Sequence, residues 1–253
     1  MGETKGIALI SGASAGLGDE FARQLSQRGH RLVLVARRKE RLDALTKELG
    51  NARAVAIDLS QAGAVAKLMA DIDAAGEHVD LLVNNAGFGL AGRFDEQDPA
   101  RLRQMIDLNC GALTELCRAV APQMVERRSG AILNVASTAA FQPGPGMAVY
   151  FATKAFVLSL SEALHEELRR NGIKVSALCP GPTATEFGEV AGFGKSIPKF
   201  AMATAAPVVR AGLKGLDRNR AVVIPGMLNK ISGQGHRLLP RAALRRIAGA
   251  IKF

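Results

Sequence analysis

Short apolar runs recur along the chain, and between them lie longer stretches whose apolar positions repeat at helical spacing. The runs fall at residues 6–10, 31–36, 54–57, 81–83, 131–135, 175–178 and 221–225, about seven predicted strands. Helical patterning covers 17–28, 40–49, 63–75, 100–127, 149–170 and 205–216. Runs that are apolar throughout suit strands buried on both faces of a parallel sheet. Strands separated by helices require right-handed crossovers, so the expected fold is one doubly wound α/β domain with helices on both faces. No linker, repeat or low-complexity tract divides it. The domain is expected over residues 1–226, with a Gly- and Phe-rich lid at about 183–203 and a C-terminal extension at 227–253.

Composition fits a protein with a sizeable core: 48% of residues are hydrophobic and 22% charged. The net charge of +10 is unevenly placed, because residues 227–253 carry six basic side chains (Lys230, Arg237, Arg241, Arg245, Arg246, Lys252) and no acidic one. Charge is therefore a property of the extension, and without an aromatic-interleaved basic patch no nucleic-acid partner is expected. Cys110, Cys117 and Cys179 are an odd count without metal-ligand spacing, which favours free thiols. His30, His78, His165 and His236 are scattered, so no metal site is expected. A polar start and no apolar run of about 18 residues point to a cytoplasmic protein.

The first strand ends in Ser11-Gly12-Ala13-Ser14-Ala15-Gly16-Leu17-Gly18 directly before a helix. Glycines there let the backbone turn tightly and approach a pyrophosphate, which sits on the unpaired N–H groups of the helix N-terminus. This is the strand–turn–helix context of a Rossmann-type dinucleotide site. The second strand ends at Ala36, followed by Arg37 and Arg38 where an NAD-binding unit places an acid for the ribose 2′-hydroxyl. Arginine instead suits a 2′-phosphate, so the expected cofactor is NADP(H).

Tyr150 and Lys154 are four apart in a helical stretch and share a face; Tyr150 is the only tyrosine. An ammonium beside a phenol stabilises the phenolate and lowers its pKa toward what a general acid/base needs. Ser137, at a strand end, could hydrogen-bond a substrate oxygen as charge develops on it.

Together these residues resemble the short-chain dehydrogenase/reductase family over about residues 5 to 225. The family's glycine loop is Ser11 to Gly18, with Ser where Thr is usual, and its Asn-Asn-Ala-Gly element is Asn84-Asn85-Ala86-Gly87. The resemblance implies that Asp58, with Leu59 beside it, contacts adenine. It implies that Asn109, Ser137, Tyr150 and Lys154 form the catalytic group, and that Pro180, Gly181, Thr183 and Thr185 meet the nicotinamide. The remaining cofactor contacts are Gly12, Ser14, Gly16, Leu17, Gly18, Asn85, Ala86 and Gly87.

The chemistry so implied is interconversion of a carbonyl and a secondary alcohol. NADPH supplies hydride, Tyr150 the proton, and Ser137 polarises the oxygen. Lys154 lowers the tyrosine pKa and holds the nicotinamide ribose, and Asn109 keeps a water in the proton relay. The resemblance also implies a homodimer through the helices at 100–127 and 149–170.

Phe187, Phe193 and Phe200 on the lid are expected to face Phe88, Leu90, Phe141 and the loop Pro143-Gly144-Pro145-Gly146-Met147 across an apolar substrate pocket. Two other readings stand beside a small apolar ketone: a carrier-bound or lipid-like 3-keto acyl group, and a non-catalytic NADP(H) sensor. In the extension Leu244, Ile247, Ala248 and Ile251 form an apolar stripe opposite Arg241, Arg245 and Lys252, which could contact a membrane surface peripherally.

Overall fold

The computed structural model describes residues 5–192, 202–235 and 240–249. The elements run β1 (Lys5–Ser11), α1 (Gly16–Gln27), β2 (His30–Ala36), α2 (Lys39–Leu49), β3 (Ala52–Ala56) and α3 (Ala64–Ala74). They continue with β4 (Val79–Asn84), α4 (Pro99–Ile106), α5 (Leu113–Arg127), β5 (Gly130–Val135), α6 (Ala148–Arg169) and β6 (Ile173–Leu178). Last come α7 (Phe187–Ala191), α8 (Ala205–Asp217), β7 (Val222–Val223), α9 (Met227–Gly235) and α10 (Arg241–Gly249).

The seven strands form one parallel sheet in the order β3-β2-β1-β4-β5-β6-β7. The winding reverses between β1 and β4, where Ile10 lies between Leu34 of β2 and Val83 of β4. Such a switch point opens a crevice at the carboxyl ends of the strands, where ligands bind in this architecture.

Alternation along each strand divides the core in two. Ile7 and Leu9 of β1 join Leu68 and Ile72 of α3, Leu116 and Met124 of α5 and Val157 of α6 on one face. Ala8 and Ile10 join Phe21 and Leu25 of α1, Leu42 of α2 and Val209 and Leu213 of α8 on the other. Side chains such as Leu9, Ile10 and Phe21 are fully buried, each stabilising the fold by about 1.5–3 kcal/mol. Both faces need covering, which is why the strand sequences are apolar throughout.

Two elements differ from the sequence expectation. β7 shrinks to two residues at the sheet edge, since Pro225 has no N–H to extend the ladder. The stretch expected as one helix over 100–127 is broken by a π-helical turn, Asp107–Ala112, between α4 and α5. The wider turn carries Asn109, only 1% exposed, into the interior, and such turns recur at functional sites. Cys117 and Cys179 are buried and Cys110 half-buried, all as free thiols. Among the described residues no helix is long and apolar enough to cross a membrane.

Candidate active site

A cavity of about 830 Å³ opens at the switch point. Its first wall is the glycine loop. Gly12 has φ +68°, and a β-carbon there would lie 2.9 Å from Ala86 Cα, so the position admits glycine alone. Asn85 braces the loop by donating from Nδ2 to the carbonyls of Ser11 (3.0 Å) and Gly12 (3.1 Å). Ser11 Oγ accepts from the N–H groups of Asn85 and Ala86, both at 3.0 Å. Ser11 thus supplies a hydroxyl at the position where the family usually has Thr. Asn84 turns the other way, as strand alternation requires, and donates to Asn134 Oδ1 at 3.0 Å in the core.

Gly12, Ser14, Gly16, Leu17, Arg37, Arg38, Asp58, Leu59, Asn85, Ala86 and Gly87 all line the cavity, as do Ser137, Tyr150, Lys154, Pro180, Gly181, Thr183 and Thr185. Gly18 does not. A β-carbon there would lie 2.1 Å from Gly12 O, so this glycine is required by packing of helix on loop. Asn109 also lies behind the wall.

At the ribose end Arg38 is already engaged. Its Nε and Nη2 donate to Ser14 Oγ at 3.2 and 3.1 Å, and its Nη1 pairs with Glu186 at 2.8 Å. The other Glu186 oxygen pairs with Arg41 at 2.5 Å, and these two guanidinium groups hold the carboxyl below the ordinary range. Burial would raise the Asp58 carboxyl, but hydrogen bonds from the Ser60 hydroxyl and N–H, with Arg37 nearby, leave it below its usual value.

At the chemical end α6 brings Tyr150 and Lys154 to the wall one turn apart, 7% and 6% exposed. Lys154 Nζ donates to Val135 O at 2.8 Å, which ties the helix to the end of β5. Ser137 Oγ donates to Pro180 O at 3.5 Å and accepts from the Ala139 N–H at 3.1 Å, and it lines the cavity with Tyr150. The expected lowering of the tyrosine pKa is not what the geometry gives. Burial pushes the phenol up to about 12, against which Ser137 works downward. Burial also brings Lys154 down to about 8. The ammonium stands 5.8 Å from the ring centroid, and its hydrogen bond goes to Val135. In the protein without cofactor, burial therefore favours the protonated phenol and the neutral amine.

The remaining wall is apolar: Phe88, Met147, Phe151, Phe187, Val190 and Met202. Phe187 lies against Tyr150, ring centroids 5.3 Å apart, and Ala91 N–H donates to Ala191 O at 2.8 Å, which seats α7 beside the loop after β4. The base of the lid is pinned by a bridge between Thr183 and Ala203. Phe193 and Phe200 lie outside the described residues. Leu90, Phe141 and Pro143 to Gly146 do not line the cavity as expected. Leu90 packs against the small cluster that includes Met105 and Phe151, and Phe141 turns to the main core, close to Gly233 of α9. Glu186 lines the cavity too, where the sequence analysis gave it only a place on the lid.

The model of the family described as short chain dehydrogenase matches residues 6–193. The chain belongs to the short-chain dehydrogenase family. It is 34% identical over 207 residues to an uncharacterized oxidoreductase of Staphylococcus epidermidis, covering 81% of this chain and 90% of that one. It is 40% identical over 190 residues to an NADP-dependent 3-hydroxy acid dehydrogenase of Salmonella typhi, covering 73% and 75%. A short-chain dehydrogenase from Sphingobium yanoikuyae, solved in complex with NADPH, superimposes with a TM-score of 0.84 at 37% identity, over 98% of this chain and 97% of that one. The bulky-bulky ketone specific alcohol dehydrogenase from Comamonas testosteroni gives 0.79 at 33%, over 93% and 94%.

Proposed function

We propose that this short-chain dehydrogenase reduces a bulky, apolar ketone with NADPH, Tyr150 giving the proton. NADP(H)-linked oxidoreduction of a small organic substrate is the activity at the level of the family. The reading rests on one observation: Ser137, Tyr150 and Lys154 face the same cavity as the glycine loop and the Arg37–Arg38 pair. Arg37 and Arg38, with no acid at the end of β2, favour a cofactor bearing a 2′-phosphate. NADPH-bound and NADP-dependent relatives support the same choice. Asn85, Ala86 and Gly87 would support the cofactor beside the glycine loop, Asp58 and Leu59 its adenine, and Pro180, Gly181, Thr183 and Thr185 its nicotinamide.

When bound, the cofactor supplies hydride; the chain's own groups position and polarise. Ser137 would hold the carbonyl oxygen and Tyr150, kept protonated by burial, would donate to it. Lys154 would recharge the tyrosine and hold the ribose. Asn109 would act from behind the wall as a positioning residue. Among the described lining residues the substrate half offers no basic side chain for a carboxylate, since the cations there are Arg37 and Arg38 at the ribose end and Lys154. That disfavours a free 3-keto acid but does not bear on a carrier-bound or lipid-like 3-keto acyl group, whose carboxyl is esterified. The apolar wall and the bulky-bulky ketone specific alcohol dehydrogenase from Comamonas testosteroni support the apolar ketone. Turnover itself separates the enzyme from a non-catalytic NADP(H) sensor. The experiment is NADPH-linked reduction of bulky aryl ketones by wild type and by Tyr150→Phe.

Ile106 on α4 and Phe156 on α6 are exposed large apolar side chains on helices packed together, and a homodimer across them would cover both. The division into a domain at 1–226 and an extension at 227–253 is likewise our reading. α9 presents exposed Met227, Leu228 and Ile231, and α10 exposed Ile247, beside exposed Lys230, Arg245 and Arg246. Of the expected stripe, Ala248 is buried and Leu244 half-buried, so α10 packs largely on the body, and Ile251 lies outside the described residues. Peripheral contact with an anionic membrane surface is proposed for the exposed residues of α9. A cytoplasmic location agrees with free thiols.

A further inference from the structure

Three consecutive residues at the start of the lid touch three different parts of the site. The Thr185 side chain lies 3.1 Å from where a Gly16 β-carbon would be, against the glycine loop. Glu186 bridges Arg38 and Arg41 with its two oxygens, at 2.8 and 2.5 Å. Phe187 packs on the ring of Tyr150. Glu186 and Arg38 both line the cavity, and Arg38, with Ser14 Oγ on its other edge, is the residue that on the NADP(H) reading would face the 2′-phosphate.

A guanidinium has five N–H donors in a fixed fork, and its best partner is an anion that takes two of them side by side. Here the fork is shared: Nε and Nη2 go to Ser14 and Nη1 to the Glu186 carboxylate. A phosphate carrying nearly two negative charges and a carboxylate cannot use this edge together without like-charge repulsion. The phosphate, with more charge and more acceptor oxygens, displaces the carboxylate.

We propose that Glu186 is a specificity-setting residue, an internal counter-ion that occupies Arg38 and is exchanged for the 2′-phosphate of the incoming cofactor. This rests on the NADP(H) reading above. A cofactor without the 2′-phosphate leaves the Arg38–Glu186 pair in place. One with it releases Glu186, and the lid residue next in sequence, Phe187, is the one against Tyr150. Occupancy of the ribose site is thereby communicated to the substrate wall through a single peptide unit.

Both partners are half-exposed, 43% each, so the competing pair is a modest one. Removing it in Glu186→Gln tightens NADPH about two- to fivefold and leaves NADH unchanged. The measurement is nicotinamide fluorescence titration of both cofactors on wild type and variant, with thermal melting to confirm that the variant folds. Hydrogen exchange over residues 184–192 is read alongside. In wild type NADPH changes it more than NADH does, and in Glu186→Gln the two cofactors act alike. Unchanged or weaker NADPH binding in the variant, or equal tightening of NADH, overturns the exchange while leaving the NADP(H) reading intact. A wild type that binds both cofactors equally overturns the NADP(H) reading, and the exchange falls with it.

Discussion

The side-chain amide of Asn109 grips the backbone of Phe88 from both sides, accepting from its N–H at 3.1 Å and donating to its carbonyl at 2.9 Å. Nδ2 also donates to Thr153 Oγ1 at 3.1 Å, one residue before Lys154. A side chain in a π-helical turn thus fixes the loop after β4 to the helix that carries Tyr150.

Asn109→Ala leaves the Phe88 backbone groups without their partners in a buried place. Folding stability should fall by about 1–3 kcal/mol, read by urea denaturation. Turnover should fall with it while NADPH affinity changes less, because Asn109 does not line the cavity. A variant as stable and active as wild type would show the grip to be dispensable.

Stability of the free protein should rise with pH between about 8 and 10 through Lys154. Burial lowers the folded lysine to about 8 from the ordinary 10.5, so across that window the unfolded chain binds the extra proton. Tyr150 acts in the opposite sense above pH 10, since its folded value is raised to about 12. Denaturation at about pH 7.5 and 9.5, referenced to Lys154→Met at each pH, should give a gain of about 1–2 kcal/mol at the higher pH. A flat difference would mean that the lysine is not desolvated in solution.

On the proposed homodimer through α4 and α6, wild type should run as a dimer and Phe156→Asp as a monomer, measured by light scattering on a sizing column. A charge at the centre of an apolar contact is left buried and unpaired. A variant that stays dimeric, or a wild type that is itself monomeric, would contradict this interface.

Leu228→Asp with Ile231→Asp should abolish co-sedimentation with vesicles containing phosphatidylserine while leaving the fold and turnover intact. No binding by wild type, equal binding by the variant, or equal binding of wild type to neutral vesicles would contradict the contact proposed for α9.

The fold was legible because both of its signals are local. Each strand is apolar throughout since both faces are covered, and the helices between carry their apolar positions at helical period. The cofactor loop and the Tyr150–Lys154 pair were legible for the same reason: each is a short spacing on one element. What was hidden depends on distance along the chain. Glu186 meets Arg38 across 148 positions, and nothing near either residue announces the pair. The π-helical turn arises because Asn109 is drawn to Phe88, a tertiary preference that overrides helical propensity. Phe141 belongs to a short turn after Ser137, and its hydrophobicity could not say which side of that turn it would pack on. The burial that raises the tyrosine pKa in the free protein was not legible either, because the sequence shows the neighbouring charge and not the depth of the pocket.

The central claim is that Tyr150 delivers the proton in an NADPH-linked reduction. It is tested most directly by following NADPH oxidation with bulky aryl ketones for wild type and Tyr150→Phe, with NADPH affinity measured on both. The account predicts that the variant binds NADPH as wild type does and loses at least about 100-fold in turnover, the scale of a positioned general acid. Near-normal turnover by Tyr150→Phe would contradict it.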